Sequence, residues 1–206
     1  MKITQLVSGL VETNTYVLEI DSKVVVIDPC LDEGYNGQRL LNALEGKEVL
    51  AVFLTHGHFD HISGVDFVCE KFNCPLYMYH SEVHMLKSEK HNLSTMTHEP
   101  VSIKTEPIAI DCEPLTVGPF ECDVILTKGH TSGSISYVFD EDIFDGDFIF
   151  KGTIGRTDLP TGSQSDMNES IKEFIEDFKD TDFNLYPGHG DSTTLYHEMK
   201  TNPYCQ

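Results

Sequence analysis

Basic side chains are scarce in this chain. Its 206 residues include 14 lysines and arginines against 34 aspartates and glutamates, which gives a formal charge of −20. No run of basic residues occurs, and so acidic a surface repels the phosphate backbone of nucleic acids. We therefore expect no nucleic-acid partner. The acid excess itself is typical of a solvated surface and does not identify a substrate.

Long hydrophobic runs are also missing. The longest apolar segments, at 24–27 and 49–54, are far shorter than the roughly 18–20 residues that a membrane-spanning helix requires. The first residues carry one lysine with no apolar segment behind it, so the sequence predicts no signal peptide. A cytoplasmic protein with no membrane partner is the expectation.

Cysteines are present but lack a paired framework. Only Cys69 and Cys74 have a short spacing, C-x4-C. No second pair of cysteines or histidines follows at the spacing that a structural zinc site requires. We therefore expect reduced thiols that are mostly buried. Internal repeats, linkers and low-complexity segments are absent as well, so residues 1–206 are expected to form one domain.

Hydrophobic periodicity predicts strands before helices. Strand-like segments are expected at 3–11, 15–20, 23–28, 49–55, 75–79, 115–117, 122–127, 135–139 and 183–186. Helical spacing is expected at 40–44, at 62–72 and after Asp166, the predicted cap of a helix that buries Met167, Ile171 and Phe174. The polar segment 81–107, with three histidines, is predicted to be a loop or lid. This order favours two sheets enclosed by helices.

The most informative segment is THGHFDH at 55–61, directly after a buried strand and before a helix. Neutral imidazole and carboxylate are the ligands that zinc and iron accept. His56 and His58 can face the same way on an extended turn, while Asp60 and His61 at the helix start can aim at a second point. The segment therefore predicts a metal site.

The pattern His-x-His-x-Asp-His after a strand resembles the signature of the metallo-β-lactamase fold superfamily. Other segments agree in order and context: NTY at 14–16, IDP at 27–29, GHTSGS at 129–134, DGD at 145–147 and PGHG at 187–190. The resemblance extends from about residue 3 to residue 191. It implies an α+β fold, a four-layer αββα sandwich of two mixed sheets flanked by helices, with a dinuclear metal site at one edge.

The resemblance also implies two ligand sets that share a carboxylate: His56, His58 and His130 for one ion, Asp60, His61 and His189 for the other, and Asp147 between them. The expected cofactors are two divalent ions, zinc, iron or one of each. A hydroxide between them would attack the substrate, with Asp60 and Asp147 as the catalytic carboxylates.

Two groups of residues lie outside this ligand set. Asp28, at a strand end, is expected to accept an imidazole N–H and fix its tautomer, although a plain Asp-Pro turn remains an alternative. The other histidines are expected on the surface or in the lid; these are His80, His84, His91, His98 and His197.

The segment KGTIGRTDL at 151–159 resembles the glyoxalase II-like branch, the hydroxyacylglutathione hydrolases. This implies a small-molecule thioester substrate such as S-lactoylglutathione. Lys151 and Arg156 are candidate substrate residues, and an ion pair of Arg156 with Asp158 that shapes a loop or dimer contact is an equal alternative. Full-length members carry a helical glutathione-binding domain after the position of His189. Only 17 residues follow it here, so no such domain is expected.

Other chemistries remain open from sequence. A persulfide dioxygenase has a similar Gly-Arg-Thr-Asp segment and would hold one iron on His56, His130 and Asp147. A metallo-hydrolase of another ester or a lactone is a further alternative, whereas a flavodiiron-type partner would need a flavin domain. Metal analysis separates the dioxygenase from the main prediction: a dioxygenase would hold one iron and consume oxygen, whereas the predicted hydrolase would hold two metals and cleave a thioester. The chain is expected to be a monomer or homodimer.

Overall fold

The computed structural model of the chain describes residues 1–32 and 37–206. The strands are β1 Lys2–Ser8, β2 Thr13–Ile20, β3 Lys23–Ile27, β4 Glu48–Phe53, β5 Leu76–Tyr79, β6 Ile108–Ile110, β7 Leu115–Val117, β8 Phe120–Leu126, β9 Ile135–Phe139, β10 Asp142–Gly146, β11 Ile149–Phe150, β12 Thr153–Ile154, β13 Asn184–Pro187 and β14 Thr193–Thr194. The α-helices are α1 Gln38–Leu44, α2 Phe59–Ile62, α3 Val65–Phe72, α4 Gln164–Phe178 and α5 Leu195–Thr201. Two 3₁₀ helices span His80–Lys87 and Ser94–Met96. Within the described ranges, no helix is both long and apolar enough to cross a membrane.

Twelve strands form two six-stranded sheets, and β11 pairs with β12 in a separate hairpin. The first sheet runs in the order β1-β2-β3-β4-β5-β6, antiparallel up to β3 and parallel from there. The second runs β14-β13-β10-β9-β8-β7, with a parallel pair only between β10 and β13. Both sheets are therefore mixed, as the sequence predicted.

Three apolar clusters separate four layers. The cluster between the sheets joins Tyr16 and Phe53 of the first sheet to Tyr137 and Phe144 of the second. A second cluster packs the outer face of the first sheet against α1 and α3, and a third packs the second sheet against α4. Alternating residues of β2 to β4 enter different clusters because successive side chains in a strand point to opposite faces. The predicted αββα sandwich is confirmed.

The helix boundaries differ from the prediction in two places. The cap of α4 is Ser163, whose Oγ accepts a hydrogen bond from the backbone N–H of Asp166, so Asp166 lies in the first turn. The helical stripe at 62–72 is divided into α2 and α3. Gly64 interrupts it because its backbone packs on Pro29, and a Cβ there would lie 2.7 Å from the Pro29 carbonyl oxygen.

The segment 81–107 is not the simple surface loop that its polarity predicted. Glu82, Met85, Leu86 and Asn92 are buried within it. Glu82 accepts a hydrogen bond from the backbone N–H of Gly57, and the Asn92 side-chain amide donates to two carbonyls of the segment itself. These contacts fix the first part of the segment to the fold, whereas five of the six residues at 95–100 are exposed.

Candidate metal centre

Loops that follow four strands bring the predicted ligands to one edge of the sandwich. The loop after β4 carries His56 and His58 and leads into α2, which carries Asp60 and His61. The loops after β8, β10 and β13 carry His130, Asp147 and His189. Backbone hydrogen bonds tie these loops together. The N–H of Gly188 donates to the Gly146 carbonyl and the N–H of Asn14 donates to the Gly188 carbonyl, each at 2.7 Å.

The first donor set consists of His56, His58 and His130, all buried, with one ring nitrogen of each within 4.8 Å of the others. His58 Nδ1 lies 2.9 Å from His130 Nε2, and Asp147 Oδ2 lies 3.3 Å from the same His130 atom. Three imidazoles and a carboxylate thus converge on one point.

The second donor set consists of Asp60, His61 and His189. Asp60 Oδ2 lies 3.4 Å from His61 Nε2 and 3.2 Å from His189 Nε2. Asp147 Oδ1 lies 3.4 and 3.5 Å from the same two nitrogens. Ligands about 2.0–2.2 Å from a common ion at the corners of a tetrahedron are about 3.4 Å apart, so these separations match a four-coordinate ion.

Asp147 joins the two sets because its two oxygens face different histidines. Oδ2 faces His130, whereas Oδ1 faces His61 and His189. The buried atoms His56 Nε2, His61 Nε2 and Asp147 Oδ1 have no hydrogen-bond partner. A buried polar atom without a partner is costly, and a cation at each point would satisfy these atoms. The residues therefore fit two divalent ions.

Two of the histidine ligands have free lone pairs in the chain alone, whereas a cation at His61 has to displace a proton. Burial lowers the pKa of His56 well below its ordinary value and that of His58 to about 3, so both rings are neutral with lone pairs available. Burial opposes charge on His61 too, but Asp60, Asp28 and Asp147 outweigh it and raise that pKa. In Asp60, burial would raise the pKa, yet His61 and His189 hold it at about 2.

Asp28 orients the ligands from behind. Its Oδ2 accepts hydrogen bonds from His61 Nδ1 at 2.8 Å and from Thr55 Oγ1 at 2.6 Å, and its Oδ1 accepts from the backbone N–H of Thr55 at 2.8 Å. Thr55 Oγ1 lies 3.1 Å from His56 Nδ1. With both Asp28 oxygens engaged, His61 Nε2 is left to face the donor set. The geometry supports the orienting role and leaves Asp28 unsuited to hold an ion itself.

Other side chains support the ligands through contacts that the motifs themselves do not include. Thr13 Oγ1 donates to Asp60 Oδ2 at 2.9 Å. His130 Nδ1 and His189 Nδ1 lie 2.8 and 3.0 Å from the carbonyl oxygens of Arg156 and Val11. Such contacts fix ring orientation. Thr13 adjoins the motif at 14–16 and Thr55 adjoins His56. This adjacency to a motif is the one feature of the sequence that pointed to their supporting roles.

The candidate substrate residues have other partners in the structure. The Arg156 guanidinium makes two hydrogen bonds to the Asp158 carboxylate, at 2.7 and 2.8 Å, and the Lys151 ammonium lies 3.1 Å from the Asp191 carboxylate. All of these side chains are more than half exposed. The arrangement matches the ion-pair alternative for Arg156, and a substrate role for either residue stays a prediction.

The chain is similar to known proteins in both sequence and fold. The family model described as the metallo-beta-lactamase superfamily matches residues 8–189. "Probable metallo-hydrolase M6_Spy0554" of Streptococcus pyogenes serotype M6 is 37% identical, covering 99% of this chain and 90% of that protein. "Probable metallo-hydrolase YqgX" of Bacillus subtilis is 35% identical, covering 99% and 97%.

Two solved structures are similar over nearly the whole length. The BLEG-1 B3 metallo-beta-lactamase superposes with a TM-score of 0.91 at 34% identity and covers 99% of each chain. TTHA1623 in a di-iron-bound form superposes with a TM-score of 0.84 at 27% identity, covering 98% of this chain and 99% of that one. The chain therefore belongs to the metallo-beta-lactamase superfamily, alongside relatives that are named metallo-hydrolases.

Proposed function

We propose that the protein is a metal-dependent hydrolase that cleaves a thioester at a dinuclear centre. One observation carries the proposal: seven side chains converge in two adjacent donor sets that share Asp147. A structural site needs one closed set of four ligands, whereas a shared carboxylate between two sets is typical of paired catalytic ions. Iron occupies the related TTHA1623 in its di-iron-bound form, and zinc is an equally good match for imidazole and carboxylate.

The chain's own residues divide the work at this centre. Two divalent ions, when bound, supply Lewis acidity and lower the pKa of water toward about 7. Asp60 is ionised at neutral pH, because its pKa is about 2, and accepts a hydrogen bond that orients the attacking water. Asp147 spaces the two donor sets. Asp28 fixes the orientation of the His61 ring, and Thr55 fixes that of the His56 ring.

The choice of a thioester rests on the segment at 151–159, whose sequence resembles the glyoxalase II-like branch. This segment adjoins the centre, because the Arg156 carbonyl oxygen is the partner of His130 Nδ1 and Gly155 packs against the backbone of Asp147. A thiolate leaving group is also a soft ligand, which zinc accepts readily.

The test is a substrate comparison on metal-loaded protein. S-lactoylglutathione and S-lactoyl-N-acetylcysteamine are assayed for thiol release, beside the matching oxygen ester, a lactone and the β-lactam nitrocefin. We expect thiol release from at least one thioester at a rate well above that of the oxygen ester, lost with Asp147→Asn. Hydrolysis of the ester, lactone or β-lactam without thiol release would overturn the thioester proposal.

Nitrocefin is included because the chain is 34% identical to a protein described as a B3 metallo-beta-lactamase. The dioxygenase alternative is tested in the same preparation by metal analysis and an oxygen electrode. A single iron that added metal cannot raise to two ions, with oxygen consumed on a persulfide, would replace hydrolysis as the function.

A further inference from the structure

A cavity of about 330 Å³ opens beside the metal centre and shares Asp60 with it. We call it the side pocket; its walls are the turn between β1 and β2, the segment after β3, the start of α2 and residues 97–101. Its volume lies at the lower end of the roughly 300–1,000 Å³ of small-molecule sites. The segment predicted to be a lid thus contributes a wall of this pocket.

Each of the four walls contributes an apolar side chain. Leu31 and Val101 are buried and belong to the core under the first sheet, and Phe59 packs against the same core. Leu10 stands at the mouth with 63% of its surface exposed. The thiol of Cys30 is neutral, because burial raises its pKa to about 11. These groups offer contact area but no charge to a ligand.

The charged groups of the side pocket are acidic. Asp32 is paired with Arg39 at 3.6 Å, Asp60 faces the histidines of the second donor set, and Glu99 lies exposed at the rim. The lining residues that the structure describes include no lysine or arginine, and the histidine among them, His98, is exposed. A ligand carboxylate placed against the apolar walls would lose its water without gaining a lysine or arginine partner, which is unfavourable.

We infer that the side pocket holds a compact, uncharged, apolar organic group of the substrate, and that the enzyme prefers such thioesters to those of glutathione. That the bond cleaved is a thioester rests on the proposed function. That the neighbouring group of the substrate is apolar and uncharged rests on the side pocket alone. Glutathione carries two carboxylates, and the apolar and acidic walls disfavour both. A short alkyl or aryl chain would instead bury its surface against Leu10, Leu31 and Phe59.

The test measures binding of two inert thioethers with one alkyl chain, S-hexyl-N-acetylcysteamine and S-hexylglutathione. Isothermal titration calorimetry on the metal-loaded protein reports affinity without turnover. We expect the neutral thioether to bind about tenfold tighter, the ratio that about 1.4 kcal/mol of unfavourable charge burial produces. Equal or tighter binding of S-hexylglutathione, or no binding of either compound, would overturn the inference.

A variant pair locates the site of binding. Leu10→Lys places a cation at the mouth of the side pocket, and its exposed position makes the change compatible with folding. This variant should bind the neutral thioether more weakly and S-hexylglutathione more tightly than the wild type does, and so remove much of the tenfold difference in affinity. Ile108→Lys, at a similarly exposed apolar residue outside the pocket lining, should change neither affinity.

These measurements separate the inference from the proposed function. Preferential binding of the neutral thioether that depends on Leu10, in a protein that releases no thiol from any thioester, would keep the pocket assignment and reject the thioester reaction. Affinities that Leu10→Lys leaves unchanged would reject the pocket assignment whatever the enzyme hydrolyses.

Discussion

At the scale of single residues, Asp28 shows how a side chain that touches no substrate controls the site. Its carboxylate receives three hydrogen bonds, two from Thr55 and one from His61 Nδ1. An amide in its place would turn N–H groups toward His61 and Thr55, which are themselves donors. His61 would then lose the partner that keeps Nε2 available.

We predict that Asp28→Asn lowers metal affinity about 10- to 100-fold, the usual effect of losing an orienting partner of a ligand. The measurement is competition with a chromogenic chelator. Asp66→Asn is the matched control, because the Asp66 carboxylate also accepts hydrogen bonds from backbone N–H groups but lies on α3 away from the centre. Equal affinities of the two variants would remove the orienting role of Asp28.

Asp147 belongs to the same scale but affects both donor sets. Because each of its oxygens faces a different set, Asp147→Asn replaces at least one anionic donor by an amide nitrogen. We predict a fall in metal content from about two ions to less than one, measured by elemental analysis after dialysis. Asp142→Asn, at the start of the strand that Asp147 follows and hydrogen-bonded to Asn184, should retain both ions. A fully loaded Asp147→Asn protein would exclude it as a shared ligand.

At the scale of elements, the end of β13 passes unusually close to the ligands. A Cβ at Gly188 would lie 2.3 Å from Asp147 Oδ1 and 2.6 Å from His61 Cε1. Glycine is required there by the close approach of β13 to β10, and it lets His189 follow at once. The loop after β13 is thus shaped as much by the space around Asp147 as by its own sequence.

We predict that Gly188→Ala displaces Asp147 or His61 and removes at least one metal ion. Gly190→Ala is the matched control: it has no atom within 4 Å of the added Cβ, although its φ of +76° makes alanine strained there. Both variants should therefore lose some stability, by about 1 kcal/mol for the control. The metal content of the purified proteins, with their unfolding curves, distinguishes the two effects. Full metal content in Gly188→Ala would contradict the prediction, because it would show that Asp147 and His61 can accommodate the added methyl group and still bind both ions.

The elements also show what the sequence can and cannot predict. Local signals predicted most of the strands, though not the short β6, β12 and β14, together with the buried face of α4 and the cluster at 55–61. Periodicity and ligand spacing are properties of adjacent residues, which is why these features were predictable. The cap of α4 was placed three residues late because both Ser163 and Asp166 are good capping residues. The contacts of Thr13 with Asp60 and of His130 with the Arg156 carbonyl join distant segments, and no spacing encodes them.

At the scale of the whole molecule, the donor sets connect the two sheets. His56, His58, Asp60 and His61 follow β4 of the first sheet, whereas His130, Asp147 and His189 follow strands of the second. Each donor set contains residues from both sheets, so the sandwich must be assembled before either set exists. An unfolded chain would offer only the local cluster at 55–61.

Metal binding should therefore stabilise the folded protein strongly. A ligand that binds the native state alone contributes about 2.7 kcal/mol at 100 times its Kd. For a chain of this length, 1 kcal/mol shifts Tm by roughly 2–4 °C, so we predict a rise of about 5–10 °C when zinc is added to chelator-treated protein. Differential scanning calorimetry is the measurement, with Asp142→Asn expected to keep the shift and Asp147→Asn to lose most of it. An unchanged Tm in the wild type would mean that zinc does not bridge the two sheets, because a cation held by both could not leave the free energy of unfolding unaltered.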